Sequence, residues 1–122
     1  MWEFRVMRYL DSNDGVVEWA SEELIIPYLS PIDGRMHRYF PDFVVKMKDR
    51  DGKITTRILE VKPLAQTKPP EVRKNGSRIT KKYLAEVQRW GINSRKFAAA
   101  DEFCKDRGWS FHLLTEKELG IK

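Results

Sequence analysis

The sequence predicts a single α/β domain with the element order α-β-β-β-α-β. Three observations carry that prediction. Residues 37–62 read as two apolar-rich strands, roughly 38–48 and 54–62, joined by Asp49-Arg50-Asp51-Gly52. Residues 80–107 read as one long amphipathic helix closed by Gly108. A chain of 122 residues is long enough for one modest core.

The elements follow in order. Trp2, Val6 and Tyr9/Leu10 form an apolar stripe at helical spacing, with Glu3 beside its start. Asp11-Ser12-Asn13-Asp14-Gly15 then ends the helix with turn-forming residues. Residues 16–20 are short and ambiguous. Residues 23–29, ELIIPYL, read as a strand in which Pro27 argues for an edge or a bend. Residues 30–34 turn the chain into the hairpin.

The hairpin's register is open to two readings. A two-residue loop, Asp51-Gly52, would set Asp42 opposite Val61. A three-residue loop, Arg50-Asp51-Gly52, puts Gly52 at the left-handed position that such loops need. It also pairs Val44 with Ile58, Phe43 with Leu59 and Asp42 with Glu60. Only this second register matches the apolar pairs, and it sets two carboxylates side by side. Opposed side chains lie about 5 Å apart, and like charges there destabilise a sheet unless something bridges them. A divalent cation bound through oxygen ligands is the usual remedy. Lys62 lies two residues after Glu60, on the same face of its strand. An acid-x-Lys triplet alone means little, since Asp51-Gly52-Lys53 is another. Its weight comes from Pro41-Asp42 lying in register across the hairpin. The plainer alternative is a strand-end salt bridge between Lys62 and either acid.

Residues 63–78 hold three prolines and few large apolar side chains, and read as a long loop. Its basic residues Lys68, Arg73, Lys74 and Arg78 lead to the expectation that it is mobile and becomes ordered on a polyanion. Thr80 is the expected N-cap of the long helix. Leu84, Val87, Trp90, Ser94, Phe97, Ala98 and Cys104 make its expected core-facing side. Gly91 would kink or split it, with Asn93 capping a second segment. Trp90 and Phe97 are read as core residues rather than stacking platforms for bases. Residues 109–114 form a last strand and 115–119 a short helix.

Charge is unevenly laid out. Residues 62–96 carry ten basic side chains, including Lys81, Lys82 and Arg89, against only Glu71 and Glu86. The rest of the chain is slightly acidic. Such a block is the footprint of a phosphate-backbone binder; the alternative, a solubilising surface, usually mixes both signs. No apolar run approaches the ~20 residues of a membrane span. The charged start Met1-Trp2-Glu3-Phe4-Arg5 is unlike a secretory signal, so the expected location is cytoplasmic. One cysteine, Cys104, excludes an internal disulfide or a Cys-based zinc cluster. His37 and His112 lack metal-ligand spacing, and no Gly-x-Ser-x-Gly or Gly-rich phosphate loop occurs.

Pro41-Asp42 on one strand and Glu60-Val61-Lys62 on the next resemble the PD-(D/E)xK nuclease superfamily. Trp2-Glu3-Phe4, Val17-Glu18-Trp19, Tyr39-Phe40-Pro41-Asp42-Phe43 and Leu59-Glu60-Val61-Lys62-Pro63 resemble the TnsA-like transposon endonucleases. With Trp90, Asn93, Lys96, Phe97, Ala99, Phe103-Cys104 and Gly108-Trp109 they resemble the head-completion nucleases of T4-type phages still more closely.

The resemblance implies a restriction-endonuclease-like domain over residues 1–122, with a mixed central sheet flanked by helices. It implies a Mg²⁺ (or Mn²⁺) dependent endonuclease or exonuclease hydrolysing DNA phosphodiester bonds in phage packaging or head completion. The implied catalytic residues are Glu3, Asp42, Glu60 and Lys62, with metal held by Asp42, Glu60 and the Val61 carbonyl. Glu3 lies at the extreme N-terminus, and Glu22 or Glu23 are the acids that would substitute for it. The expected nucleic-acid contacts are Lys68, Arg73, Lys74, Arg78, Lys81, Lys82 and Arg89. Expected partners are DNA, a second copy where both strands are cut symmetrically, and phage head or portal proteins, in the host cytoplasm or the virion. Two other readings stay open: a non-catalytic DNA-end-binding virion assembly module, and a transposase- or resolvase-type endonuclease subunit.

Overall fold

The computed structural model describes residues 2–71 and 78–120. Helix α1 (Trp2–Ser12) buries Val6 and Leu10, while Tyr9 stays exposed. Asn13 closes the following turn, its side-chain oxygen accepting from Gly15 N–H at 2.8 Å. Strands β1 (Val16–Ser21), β4 (Phe43–Lys48), β5 (Ile54–Val61) and β6 (Ser110–Leu114) form one sheet in the order β1-β4-β5-β6. The first three are antiparallel neighbours, and β6 runs parallel to β5, so the sheet is mixed as expected. Strands β2 (Ile26–Leu29) and β3 (Met36–Tyr39) form a separate two-stranded ribbon.

Two expectations are corrected here. The ambiguous stretch after α1 is a strand of the main sheet, whereas the predicted strand 23–29 shortens to β2 and leaves that sheet. The predicted strand 38–48 is divided, with β3 ending at Tyr39 and β4 starting at Phe43. The break falls at Pro41, which has no N–H to give a ladder. Pro27 sits in the ribbon, where each strand has an outer edge that tolerates it.

The β4–β5 hairpin has the three-residue loop. Val44 pairs with Ile58 and Phe43 with Leu59. Asp49 N–H donates to Lys53 O at 2.9 Å, and Gly52 takes φ 81°. The Asp49 carboxylate accepts from both Asp51 and Lys53 N–H groups, which fastens the turn. A Cβ at Gly52 would meet only the Lys48 side chain at 3.7 Å. Gly52→Ala should therefore lose only the backbone term, about 1 kcal/mol, read as a small drop in thermal midpoint.

Strand alternation divides the core between the sheet's faces. Phe43, Val45 and Val61 pack against Val6 and Leu10 of α1. Ile58 packs with Ala100 and Cys104 of helix α2 (Lys81–Arg107) and with Ile26, Tyr28 and Tyr39 of the ribbon. Thr80 caps α2 by accepting from Tyr83 N–H at 3.1 Å, and Gly108 ends it at φ 71°. Both ends of the helix are as expected.

Its core-facing side is only partly as expected, with Cys104 buried and Ser94 half-buried. Leu84 and Val87 are 51% and 41% exposed, and Ala98 is also exposed. The buried α2 residues are Asn93, Ala100 and Cys104. A helix of 27 residues is about 40 Å long, whereas among the described residues no strand exceeds eight, so the helix outruns the sheet at its first turns. Gly91 does not split the helix, and it lies against Pro31, whose Cγ would be 3.6 Å from an added Cβ. Asn93 is an interior residue, not a cap. Trp90 and Phe97 are half-buried, with Phe97 against Phe111 at 5.9 Å between ring centres.

After β5 the predicted loop begins with a 3₁₀ turn, Leu64–Thr67. Glu116, which opens the short helix α3 (Glu116–Leu119), anchors this turn by accepting from Leu64 N–H at 2.6 Å. The expectation of loop ordering on a polyanion, with Arg73 and Lys74, lies outside the described residues.

Candidate nuclease active site

The break at Pro41 and the end of β5 bring Asp42, Glu60 and Lys62 to one corner of the sheet. Asp42 lies immediately before β4, one residue outside the Phe43–Leu59 pair. Its Oδ2 accepts from Val61 N–H at 2.7 Å, and its own N–H points to Glu60 Oε1 at 3.4 Å. Glu60 shares the sheet face of Ile58, so its carboxylate is turned toward α2 and the ribbon. There Tyr39 Oη donates to Glu60 Oε1 at 2.5 Å. Lys62 Nζ lies 3.6 Å from Glu60 Oε2, a long ion pair at the mouth of the corner.

Asp42 is 9% and Glu60 5% exposed. Burial, reinforced by the charge of Glu60, pushes the Asp42 carboxyl up to about 6, against the downward pull of the Val61 N–H and Lys62. Burial and the charge of Glu60 also push the Tyr39 hydroxyl far above its ordinary value, so it remains a donor. Two carboxylates thus share a poorly solvated corner, with the Lys62 ammonium at its edge. The salt-bridge alternative accounts for Lys62 and Glu60 but leaves Asp42 without a cation.

The other acids stand further out. Glu3, on α1, is exposed, and its carboxyl is raised first by partial burial and then by the charges of Asp42 and Glu22. Glu22 follows β1, donates its N–H to Asp42 O at 3.2 Å and adopts φ 55°. That left-handed conformation is uncommon for a residue with a side chain. Of the two substitutes named for Glu3, Glu22 is the one whose charge reaches Asp42. Among the described residues no three His, Cys, Asp or Glu side chains converge closely enough to hold an ion by themselves. A carboxylate pair with water completing the shell nevertheless suits Mg²⁺, which keeps several waters and takes few protein ligands. The oxygen-only donor set and the buried, undercompensated charge on Asp42 fit such an ion.

Of the expected nucleic-acid contacts, Lys68, Arg78, Lys81, Lys82 and Arg89 are exposed. Lys68 and Arg89 line a cleft of about 270 Å³ between the 3₁₀ turn and α2, and Pro63 and Asn93 also line it. Pro63 directly follows Lys62, so this basic cleft adjoins the acid corner. The two histidines lie elsewhere, His37 paired with Asp33 and His112 with Ser110.

Sequence reasoning missed two side chains of the corner. Tyr39 carried no signal beyond its position before Pro41-Asp42. Lys96 reaches the corner from α2, and its signal was a lysine one turn before Ala100 on the helix's inward face.

A mixed sheet with a buried acid pair and a lysine at one strand end, beside a basic cleft, defines a nuclease-type domain. Residues 13–116 match the family described as TnsA-like endonuclease N terminal, and the chain belongs to that family. The matched span includes Asp42, Glu60 and Lys62 but not Glu3. The chain is also 34% identical over 125 residues to the "Head completion nuclease" of Enterobacteria phage T4, an alignment covering 99% of this chain and 81% of that protein. No solved structure matches. Among the described residues no helix is long and apolar enough to cross a membrane.

Proposed function

We propose that this nuclease hydrolyses DNA phosphodiester bonds with a divalent cation, Mg²⁺ or Mn²⁺, held by Asp42 and Glu60. The observation that carries this is the buried pair itself, with Asp42 pushed up to about 6 by burial beside Glu60. The Val61 carbonyl is a further proposed ligand. When bound, such an ion polarises the scissile phosphate and lowers the pKa of water toward neutrality. Val61 N–H and Tyr39 Oη hold the two carboxylates in place. Lys62 stabilises the attacking hydroxide and the negative charge that develops on phosphorus-bound oxygens. Glu3 or Glu22 orients the water. Lys68, Arg78, Lys81, Lys82 and Arg89 track the DNA backbone along the cleft. The identity to a head completion nuclease supports a role at that stage of phage assembly, in the host cytoplasm or the virion, with head or portal proteins as partners. Symmetric cutting of both strands would use two copies.

Linear duplex incubated with protein and Mg²⁺ or Mn²⁺ should be degraded, and EDTA should stop it. Lys62→Ala should bind the duplex yet cleave it at least ~100-fold more slowly. Cleavage that persists in EDTA removes the metal from this account. A duplex bound but never cut, with either ion, favours the non-catalytic end-binding module instead.

A further inference from the structure

We infer that Lys96 is a second phosphate-binding cation of the site, its ammonium facing the same corner as Lys62 and taking a non-bridging oxygen of the DNA backbone there. The identity of that phosphate as DNA rests on the nuclease reading above.

The inward face of α2 runs through Asn93, Ala100 and Cys104, all buried. Lys96 interrupts this face one turn before Ala100, where an apolar side chain would pack better. Its Nζ is held 5.7 Å from the ring centre of Tyr28 and 5.6 Å from that of Tyr39. Tyr39 is the residue that donates to Glu60, so Lys96 sits directly behind the acid corner. Among the described residues Lys96 makes no ion pair, because the nearby carboxylate of Glu60 is taken by Lys62. Burial and the positive charge of Lys62 weaken its hold on its proton, against the smaller opposing pull of the Glu60 charge.

The two ring faces give the ammonium only a weak hold. They do not offset placing a half-buried cation beside another cation. A bound anion relieves both ammonium groups at once. A phosphate does so with separate oxygens for each, and the adjoining basic cleft leads a backbone to that point. Lys96 thus belongs to the substrate site rather than to the core.

Binding of a labelled duplex in EDTA, measured against salt by fluorescence anisotropy, tests this without any metal or turnover. Lys96→Met should lower the slope of log K against log[salt] by about one and weaken binding roughly eightfold at 0.1 M salt. Lys96→Arg, which keeps the charge, should restore most of both. Lys96→Gln serves in place of the Met variant if thermal unfolding shows that one to be misfolded. An unchanged slope in the neutral variant, or a loss that Arg does not rescue, overturns the inference. Should the slope change while wild-type protein leaves DNA intact in Mg²⁺ and Mn²⁺, the nuclease reading fails and the phosphate site stands.

Discussion

Asp42→Asn should abolish cleavage and at the same time make the metal-free protein more stable. Loss of a carboxylate in the proposed metal-ligand role would remove several kcal/mol of charge stabilisation from the reaction, and about 4 kcal/mol is a thousandfold in rate. The stability change has the opposite sign because Asp42 is not held as an anion by its surroundings. Its carboxyl titrates at about 6 in the folded protein, above the ~3.9 of an unfolded chain. The folded state therefore binds the proton more tightly. The contribution of Asp42 to stability is greatest below about pH 4, falls as pH rises through about 6, and is then flat, a total decline of roughly 2–3 kcal/mol. Asparagine keeps an oxygen for the Val61 N–H and removes the charge, so the declining limb should vanish. At pH 7.5 its thermal midpoint should exceed that of wild type by about 5 °C or more. Mn²⁺ should raise the wild-type midpoint by mass action and leave the variant unmoved. An Asn variant less stable than wild type at pH 7.5 would show the acid pair to be a structural salt-bridge element.

Phe43→Ala should be the most damaging single change to the fold. Phe43 is 0% exposed, packs with Val6, Leu10 and Val45, and meets Trp19 edge-on at 5.9 Å. Truncating a buried Phe removes about 3–5 kcal/mol, a large part of the 5–15 kcal/mol that holds a domain together. Urea denaturation should give a much lower midpoint with little change in slope. Because Phe43 is the residue after Asp42 and begins β4, the variant should also lose cleavage at temperatures where it remains folded. Full activity in a folded Phe43→Ala protein would mean that the corner does not depend on the core beneath it.

The two changes mark different kinds of information in the chain. The three-residue loop and the apolar pairs Val44–Ile58 and Phe43–Leu59 together select the register that brings Asp42 and Glu60 near each other, and the structure has that loop and those pairs, with Gly52 at φ 81°. The limits of α2 were equally local, set by a hydroxyl at Thr80 and a left-handed glycine at 108. The face of α2 was misjudged because a hydrophobic stripe says which side is apolar, not where a neighbouring sheet ends. Leu84 and Val87 belong to the stripe yet lie beyond it. Gly91 was read as a break because its propensity is low, but packing over a long helix outweighs about 1 kcal/mol.

By itself the sequence determined what neighbouring residues decide through backbone chemistry: the turn, the caps, the hairpin register and hence the acid pair. Only the tertiary structure decided what depends on distant segments meeting. It moved residues 16–21 into the main sheet and put the stretch before Pro41 into a separate ribbon. It left Glu3 and Glu22 too far out to close a three-acid cage, and it brought Lys96 and Tyr39 to the corner from elements far apart in the chain. The reason is physical: a turn is selected by energies that act over a few residues. The surroundings of a buried charge, in contrast, are assembled only when every layer of the core has packed.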